Sequence, residues 1–438
     1  MSDPTAKTVD GDPAPADNVF GFDPASIERL PLSDLLRRMG PGFILAGIQL
    51  GPGSLTTSAM LGGDYAYQLL WVLLPVIFMG TTFILVAYRL SMATGLPTID
   101  AIRKYYGNAA ATFVGLVTFF ACVCFNIGNV AGIGAGMSLI FGIDWKIGAA
   151  IVMVFVFLCY FLKGVYGKIE KAVTACIAIM AVAFIVVLVM TGGPDWAGVG
   201  AGLTQWQFPE GSIVTVLGFL GSSASVLAGM YGTYLGAEKE WKKRDLFNGV
   251  MTADALAQVV GTVVISGVVI LVGAIVLNPT GTDIKNLGDL AAMLVPAFGG
   301  FANIVMGIAF LAAAFAAIMG NTGRCSVFLN AGLNKPTKLD GRNIKITAAV
   351  ILVGAMAIAF VYGSSPIQLT YFSNVLTSIG TPVAGFFITR MIWRKDVHRG
   401  VKPPRALQVC MTVSYIFYTA LMLFALYRAV PNFLGSIM

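Results

Sequence analysis

The stretch Gly51-Pro52-Gly53-Ser54 cuts an apolar run that opens GFILAGIQ at Gly42. Glycine and proline break a helix there and free backbone amides and carbonyls that need partners. The side chains beside the break, Gln49, Ser54, Thr56 and Thr57, carry only amides and hydroxyls. A second polar cluster, Gly218, Gly221, Ser222, Ser223 and Ser225, lies near the first third of VTVLGFLGSSASVLAGMYGTYLG, with Tyr231 further along. Asn126 and Asn129, one helical turn apart, and Asn374 add amides in other apolar runs. Groups of this kind hold a solute by hydrogen bonds and exposed carbonyls. For any single serine, packing or capping against a neighbouring backbone is the competing role.

The elements that position these residues follow from composition. The chain has 438 residues, 57% hydrophobic and 11% charged. So little charge cannot cover a soluble surface, so the chain is read as an all-α integral membrane protein. Apolar runs of membrane length fall at 42–62, 68–92, 109–140, 146–163, 170–191, 211–237, 246–277, 295–331, 345–362, 367–390 and 405–428. Starting inside, alternation of these eleven spans leaves only Lys146, Lys285 and Arg428 off the cytoplasmic side, so 25 of the 28 Lys and Arg obey the positive-inside rule. The N-terminus is therefore expected in the cytoplasm and the C-terminus outside, in a bacterial inner membrane.

Helix-breaking backbone at membrane depth is tolerated where it lines a cavity, and transporters place binding sites there. Span 6 lies five helices after span 1, in the opposite orientation, and carries the second cluster. The sequence thus predicts a five-plus-five inverted repeat with helices 1 and 6 broken and an eleventh helix added. Residues 1–39 form a cytoplasmic arm, mostly disordered, with a short interfacial helix in PLSDLLRRM. Residues 40–395 form the core, with repeats at about 40–191 and 211–395. Residues 396–438 supply a loop and the last helix.

Other classes find little support. One histidine, His398, in a basic loop cannot assemble a triad or a His-rich metal site. All six cysteines fall within spans, which favours small core residues over disulfides. The glycines of GIGAGM (132–137) mark close helix packing, and EKEWKKRD (238–245) a positive-inside loop touching lipid. The expected partners are a small solute or cation and the bilayer. No nucleic acid, cofactor or enzyme activity is expected, and the oligomeric state is left open.

Four stretches carry a family resemblance. GPGFILAGIQLGPGSLTTSAMLGGDYAYQLLWVLL (40–74) resembles the first helix and following turn of the NRAMP metal transporters, while NIGNVAGIGAGMSLIFGI (126–143) resembles their third helix. GIAFLAA (307–313) resembles the eighth and FSNVLTSIGTPVAG (372–385) the tenth. The resemblance implies a LeuT-type fold and divalent metal transport. It also implies that the metal-binding Asp and Asn positions are here Gly51 and Ser54. The metal-binding Met position is Ser225 in one alignment and Gly229 in the other, with Met230 as a neighbour. The proton-route acids of helix 3 correspond to Asn126 and Asn129, and the helix 10 Gln to Asn374.

These replacements remove charge from the places where a bare dication needs it. The candidate substrate-binding residues are Gly51, Gly53, Ser54, Ser222, Ser223, Ser225 and Asn374, and the candidate pathway residues are Gln49, Thr57, Asn126, Asn129 and Tyr231. Three solutes stay open: a largely hydrated divalent metal, a small neutral or zwitterionic molecule, and an anion drawn by helix N-termini. A non-transporting sensor with the same pocket is the reading outside transport. Asp254 is read as a helix-start residue facing water or Lys242, and Arg324 as a snorkelling cation, with an Asp254–Arg324 gate as the alternative.

Overall fold

A computed structural model describes residues 20–161, 166–282, 284–362, 365–398 and 401–435, without the side chains of residues 166–174, 176–177 and 428–435. The described chain is helical throughout, with no strand among the described residues. A short α1 (Leu32–Arg38) precedes the broken first helix, α2 (Pro41–Gln49) and α3 (Pro52–Tyr65). Then come α4 (Leu73–Thr94), α5 (Thr98–Phe141), α6 (Trp145–Phe161) and α7 (Tyr166–Met190). A short α8 (Trp196–Thr204) leads to the second broken helix, α9 (Ser212–Ser223) and α10 (Val226–Glu238). The second half continues with α11 (Val250–Val276), the short α12 (Leu287–Ala291) and α13 (Val295–Phe298), and α14 (Ala302–Gly332). It ends with α15 (Arg342–Tyr362), α16 (Pro366–Thr377) and α17 (Gly380–Trp393), and α18 (Arg405–Gly435) follows.

Among the described residues, eight helical segments are long and apolar enough to cross a membrane. The first helix falls short of that length because it is cut in two, and α6 is a shorter apolar helix. Large apolar side chains such as Phe113, Phe120, Val154, Val353 and Leu423 are exposed around the bundle. That surface suits lipid and would not be tolerated in water. The chain is an integral membrane protein.

Each half opens on a broken helix, and the halves exchange equivalent contacts: α3 packs on α11 as α10 packs on α4. Through the middle runs α5, packed on α14, α16 and α6. The GIGAGM glycines make this possible. A Cβ on Gly132 would strike the Pro52 ring, one on Gly134 would collide with the Trp145 carbonyl, and one on Gly136 would stand 2.7 Å from the Gly307 carbonyl. Small residues let backbones approach in the membrane, and here they seat the first break directly against α5.

Three features depart from the expected spans. α5 is longer than span 3 and turns at Gly107, whose φ of 87° sets off its first nine residues. The tenth helix tightens between α16 and α17, where Pro382 has no N–H to give the Ser378 carbonyl. The arm over 1–39 is described only from residue 20, and there it is already docked: Phe20 is buried edge-on against Phe247, ring centroids 5.0 Å apart. The described cysteines, Cys122, Cys124, Cys159, Cys325 and Cys410, are free thiols; Cys176 lies outside the described side chains.

Candidate solute site at the two helix breaks

The first break arises because α2 ends at Gln49 and Gly51 takes an extended conformation, φ −68° and ψ 171°. Pro52 has no N–H, so the Ile48 carbonyl loses its helical partner. The Gly51 carbonyl then accepts from both Ser54 and Leu55 N–H, at 3.0 and 3.2 Å, and starts α3. The second break has no proline or glycine at its centre. Ala224, at φ −131° and ψ 45°, ends α9, and Ser225 restarts the chain as the N-cap of α10. Of the two registers open in the sequence, the break falls at 224. Gly229 lies inside α10 against the Phe83 carbonyl and Ala87, away from the break.

Asn374 on α16 lies between the two breaks. A Cβ on Gly53 would collide with its side-chain oxygen, and one on Gly221 would lie 3.0 Å from its carbonyl. Both glycines are small so that both broken helices can approach this one residue. On the other side, a Cβ on Gly51 would sit 3.0 Å from Asn129 Oδ1, 3.1 Å from Ala317 and 3.3 Å from Phe125.

Hydrogen-bond accounting sorts the candidates. Ser54 Oγ, Ser223 Oγ, Asn129 Nδ2 and both amide atoms of Asn374 are buried without a hydrogen-bond partner, and each of these residues is 1% exposed or less. Buried polar groups are ordinarily satisfied, so each of these orphans at the breaks asks for a partner. The remaining candidates are engaged. Ser222 Oγ donates back to the Phe219 carbonyl at 3.1 Å. Ser225 Oγ accepts from Leu227 N–H at 3.2 Å and shares a hydrogen bond with Thr381 Oγ1 at 2.9 Å. Ser222 is thus bonded to its own helix and Ser225 caps α10, the competing roles that any single serine here can take.

The pathway candidates divide in the same way. Thr57 Oγ1 donates to the carbonyls of Gly53 and Ser54, at 3.0 and 3.1 Å. Gln49 Oε1 accepts from Gln258 Nε2 and from Thr262 Oγ1 on α11, the latter at 3.2 Å. Asn126 donates to Thr322 Oγ1 at 3.0 Å and accepts from Asn321 Nδ2 at 2.7 Å, so it joins α5 to α14. Asn129, one turn on, faces Gly51 instead. Tyr231 packs edge-on over Phe328 with its hydroxyl beside Gly323 of α14.

Sequence reasoning did not find Gln258, Thr262, Asn321 or Thr322, because their partners lie on other helices. One signal was readable: Asp254, Gln258, Thr262 and Ser266 recur every four residues in an otherwise apolar helix. Asp254 and Arg324 do not pair. Asp254 accepts from Gly40 N–H at 3.0 Å and the Tyr88 hydroxyl at 2.9 Å. Arg324 Nε donates to Asn321 Oδ1 at 2.8 Å, with its guanidinium over the Phe125 ring. Each is held by its own neutral partners.

Chemically, the two breaks present hydroxyls, amides and freed backbone. Among the described residues no group of three or more His, Cys, Asp or Glu gathers that could hold a metal. The arrangement can bind by neutral oxygens and N–H groups, and it holds no nucleophile–base pair at the breaks.

The family model "natural resistance-associated macrophage protein-like" matches residues 42–428. The divalent metal cation transporter MntH of Agrobacterium fabrum is 27% identical over 382 residues, covering 83% of this chain and 81% of that protein. MntH of Deinococcus radiodurans is 24% identical over 402 residues, 88% of each chain. A manganese transporter of Eremococcus coleocola superposes with a TM-score of 0.75 at 18% identity, over 94% of this chain and 91% of that one. The nucleobase-cation-symport-1 family transporter Mhp1 superposes with a TM-score of 0.57 at 14% identity, over 88% and 92%. These superpositions are evidence of shared architecture, two five-helix repeats with broken first helices. With its family model covering both repeats and most of α18, the chain belongs to the natural resistance-associated macrophage protein-like (NRAMP) family.

Proposed function

We propose that this protein is a secondary transporter of a divalent metal cation, which it holds with part of the ion's water shell through a carboxylate-free site. The observation that carries the reading is the set of unpartnered buried oxygens, Ser54 Oγ, Ser223 Oγ and Asn374 Oδ1, at the two helix breaks. Buried orphans cost stability, about 1–3 kcal/mol each, unless a bound species satisfies them. The curated relatives named as divalent metal cation transporters supply the substrate class.

The residue types at the breaks argue for retained water. A singly charged side chain at the bilayer centre costs about 2.5–3.5 kcal/mol on insertion scales, and a bare dication costs more. Neutral oxygens alone compensate poorly for stripping it. Mg²⁺ dehydrates reluctantly and is commonly held through waters, so a larger hydrated ion suits hydroxyl and amide ligands. Asn126 and Asn129 cannot titrate, which argues against conventional proton coupling along α5. The cation distribution supports a cytoplasmic N-terminus in a bacterial inner membrane.

One observation favours a second reading. Asn129 Nδ2 and Asn374 Nδ2 are donors, and donors suit a small polar solute or an anion better than a metal ion. Calorimetric titration of the purified protein with Mg²⁺ and with Mn²⁺ separates the two. The metal reading expects saturable heat that weakens in Ser54→Ala. Absence of heat with both ions, in protein verified as folded, overturns it in favour of the polar solute.

A further inference from the structure

Cys122 on α5 and Cys325 on α14 meet where these two long helices pack together, and both side chains are fully buried. The Cys122 thiol lies within hydrogen-bond reach of the Cys325 thiol. Asn321, one turn before Cys325, ties the pair together. Its Nδ2 donates to the Cys122 carbonyl at 2.7 Å and lies 3.7 Å from Cys325 Sγ. A buried cysteine is ordinarily a small apolar residue. These two differ because a cation stands beside them.

Arg324 is 4% exposed, and among the described residues no carboxylate pairs with it. Its Nε donates to Asn321 Oδ1 at 2.8 Å, and its guanidinium carbon stands 5.7 Å from the centre of the Phe125 ring. The same guanidinium reaches the Cys122 thiol. Neutral partners do not cancel a charge, and buried charges are ordinarily paired or bound to a metal. With both thiols protonated, the cluster keeps a whole positive charge inside the bundle.

Two thiols beside a cation suit one kind of ligand. Thiolates are soft ligands that favour Cu⁺, and two sulfurs can hold a monovalent ion in linear coordination. They are too few for Zn²⁺, which structural sites hold with four ligands. No third His, Cys, Asp or Glu joins them among the described residues. Cys124, two residues along, stands on another face of α5. Binding would break both S–H bonds: one Cu⁺ enters, two protons leave, and no electron is transferred. The resulting dithiolate complex carries one negative charge, which the Arg324 guanidinium cancels. Occupancy thus turns a buried, unpaired charge into a neutral cluster, which a low-dielectric interior favours.

We propose that Cys122 and Cys325 form a second cation site, selective for Cu⁺, with Arg324 as the positioning residue that balances the dithiolate. Cys122 lies seven residues before Asn129 on α5, about 10 Å along the helix. The site is therefore separate from the two breaks, and it stands whether or not they carry a divalent ion. Anaerobic titration of the reduced, full-length protein with Cu⁺, in competition with a colorimetric Cu⁺ chelator, tests it. Wild type is expected to take up one Cu⁺ per chain and to release two protons per ion. Loss of an outer partner of a metal site typically costs about 10–100-fold in affinity, and Arg324→Gln should fall in that range. Arg324→Lys keeps the charge and should recover most of the loss, which a purely structural role of the arginine would not predict. Cys122→Ala and Cys325→Ala each remove a ligand and should weaken binding by about 100-fold or more, while Cys124→Ala binds as wild type does. X-ray absorption of the wild-type complex needs no variant to fold, and it should show two sulfur neighbours and no nitrogen or oxygen. No Cu⁺ uptake by folded wild type overturns the proposal. So does uptake that survives both Cys122→Ala and Cys325→Ala, or a copper centre with nitrogen or oxygen ligands.

Discussion

Ser223 and Ser225 stand two residues apart at the second break, and replacing each by alanine is predicted to change stability in opposite directions. Ser223 Oγ is fully buried with no hydrogen-bond partner. An unsatisfied buried polar group costs about 1–3 kcal/mol. Ser223→Ala removes that cost with the loss of one small atom, so the solute-free protein should gain on the order of 1 kcal/mol. Ser225 caps Leu227 N–H at 3.2 Å and bonds Thr381 Oγ1 at 2.9 Å. Ser225→Ala loses an N-cap and strands Thr381, which together cost about 1–2 kcal/mol. The two variants should therefore differ by about 2–3 kcal/mol in solute-free stability. Equilibrium unfolding in mixed micelles or by steric trapping in bicelles reads this difference directly. Ion binding should weaken in Ser223→Ala although that variant is the more stable. If Ser223→Ala is as destabilising as Ser225→Ala, the Ser223 hydroxyl has a structural partner and the reasoning about orphans at the breaks fails.

Three other expectations follow from the same geometry. Gly51→Asp, which would supply the carboxylate that the family resemblance places there, should destabilise by about 1–3 kcal/mol through overpacking against Asn129, Ala317 and Phe125. Adding Asn129→Ala should recover part of that loss, and a double-mutant cycle should give a coupling above about 0.5 kcal/mol. Asn321→Ala removes the partner of both Arg324 Nε and Asn126 Oδ1, so chemical unfolding should show a loss of about 2 kcal/mol or more. His398, in the loop after α17, has its pKa pushed down to about 4, first by burial and then by the nearby Arg89 guanidinium. A depressed histidine pKa means that the unfolded chain takes up a proton before the folded one does. The contribution of the neutral ring is thus complete above the ordinary value near 6.5 and is lost as pH falls from there towards 4. The thermal midpoint should drop between pH 7 and pH 5, and His398→Gln should remove the part of that drop due to this ring.

How much could be read in advance depended on how local the cause was. The first break is legible because Gly51, Pro52 and Gly53 act on their own backbone. The second was narrowed only to a region, since Ala224 carries no such mark and the cap at Ser225 is one serine among three. Among Ser222, Ser223 and Ser225 the chemistry is identical, and only helix phase decides which hydroxyl is free. Sequence pointed equally to all three, while the fold leaves Ser223 alone unpartnered. The glycines of GIGAGM were rightly read as packing residues, because close approach is what a run of small residues permits. What sequence could not supply was pairing across distance. Gln49 with Gln258, Asn126 with Asn321, and Asp254 with Gly40 each join segments some 200 residues apart. The docked Phe20 was missed for the same reason: its partner Phe247 lies beyond the sixth helix.

The most direct test of the central claim is metal flux in proteoliposomes, with a metal-sensitive dye and a pH-sensitive dye enclosed together. An inward gradient of Mg²⁺ or Mn²⁺ is imposed on wild type and on Asn374→Ala. A site of neutral oxygens carrying a partly hydrated divalent ion predicts saturable metal entry, no accompanying acidification of the lumen, and slower entry in Asn374→Ala. Metal entry accompanied by acidification would contradict the uncoupled mechanism. No metal entry into vesicles that hold folded protein would contradict metal transport itself.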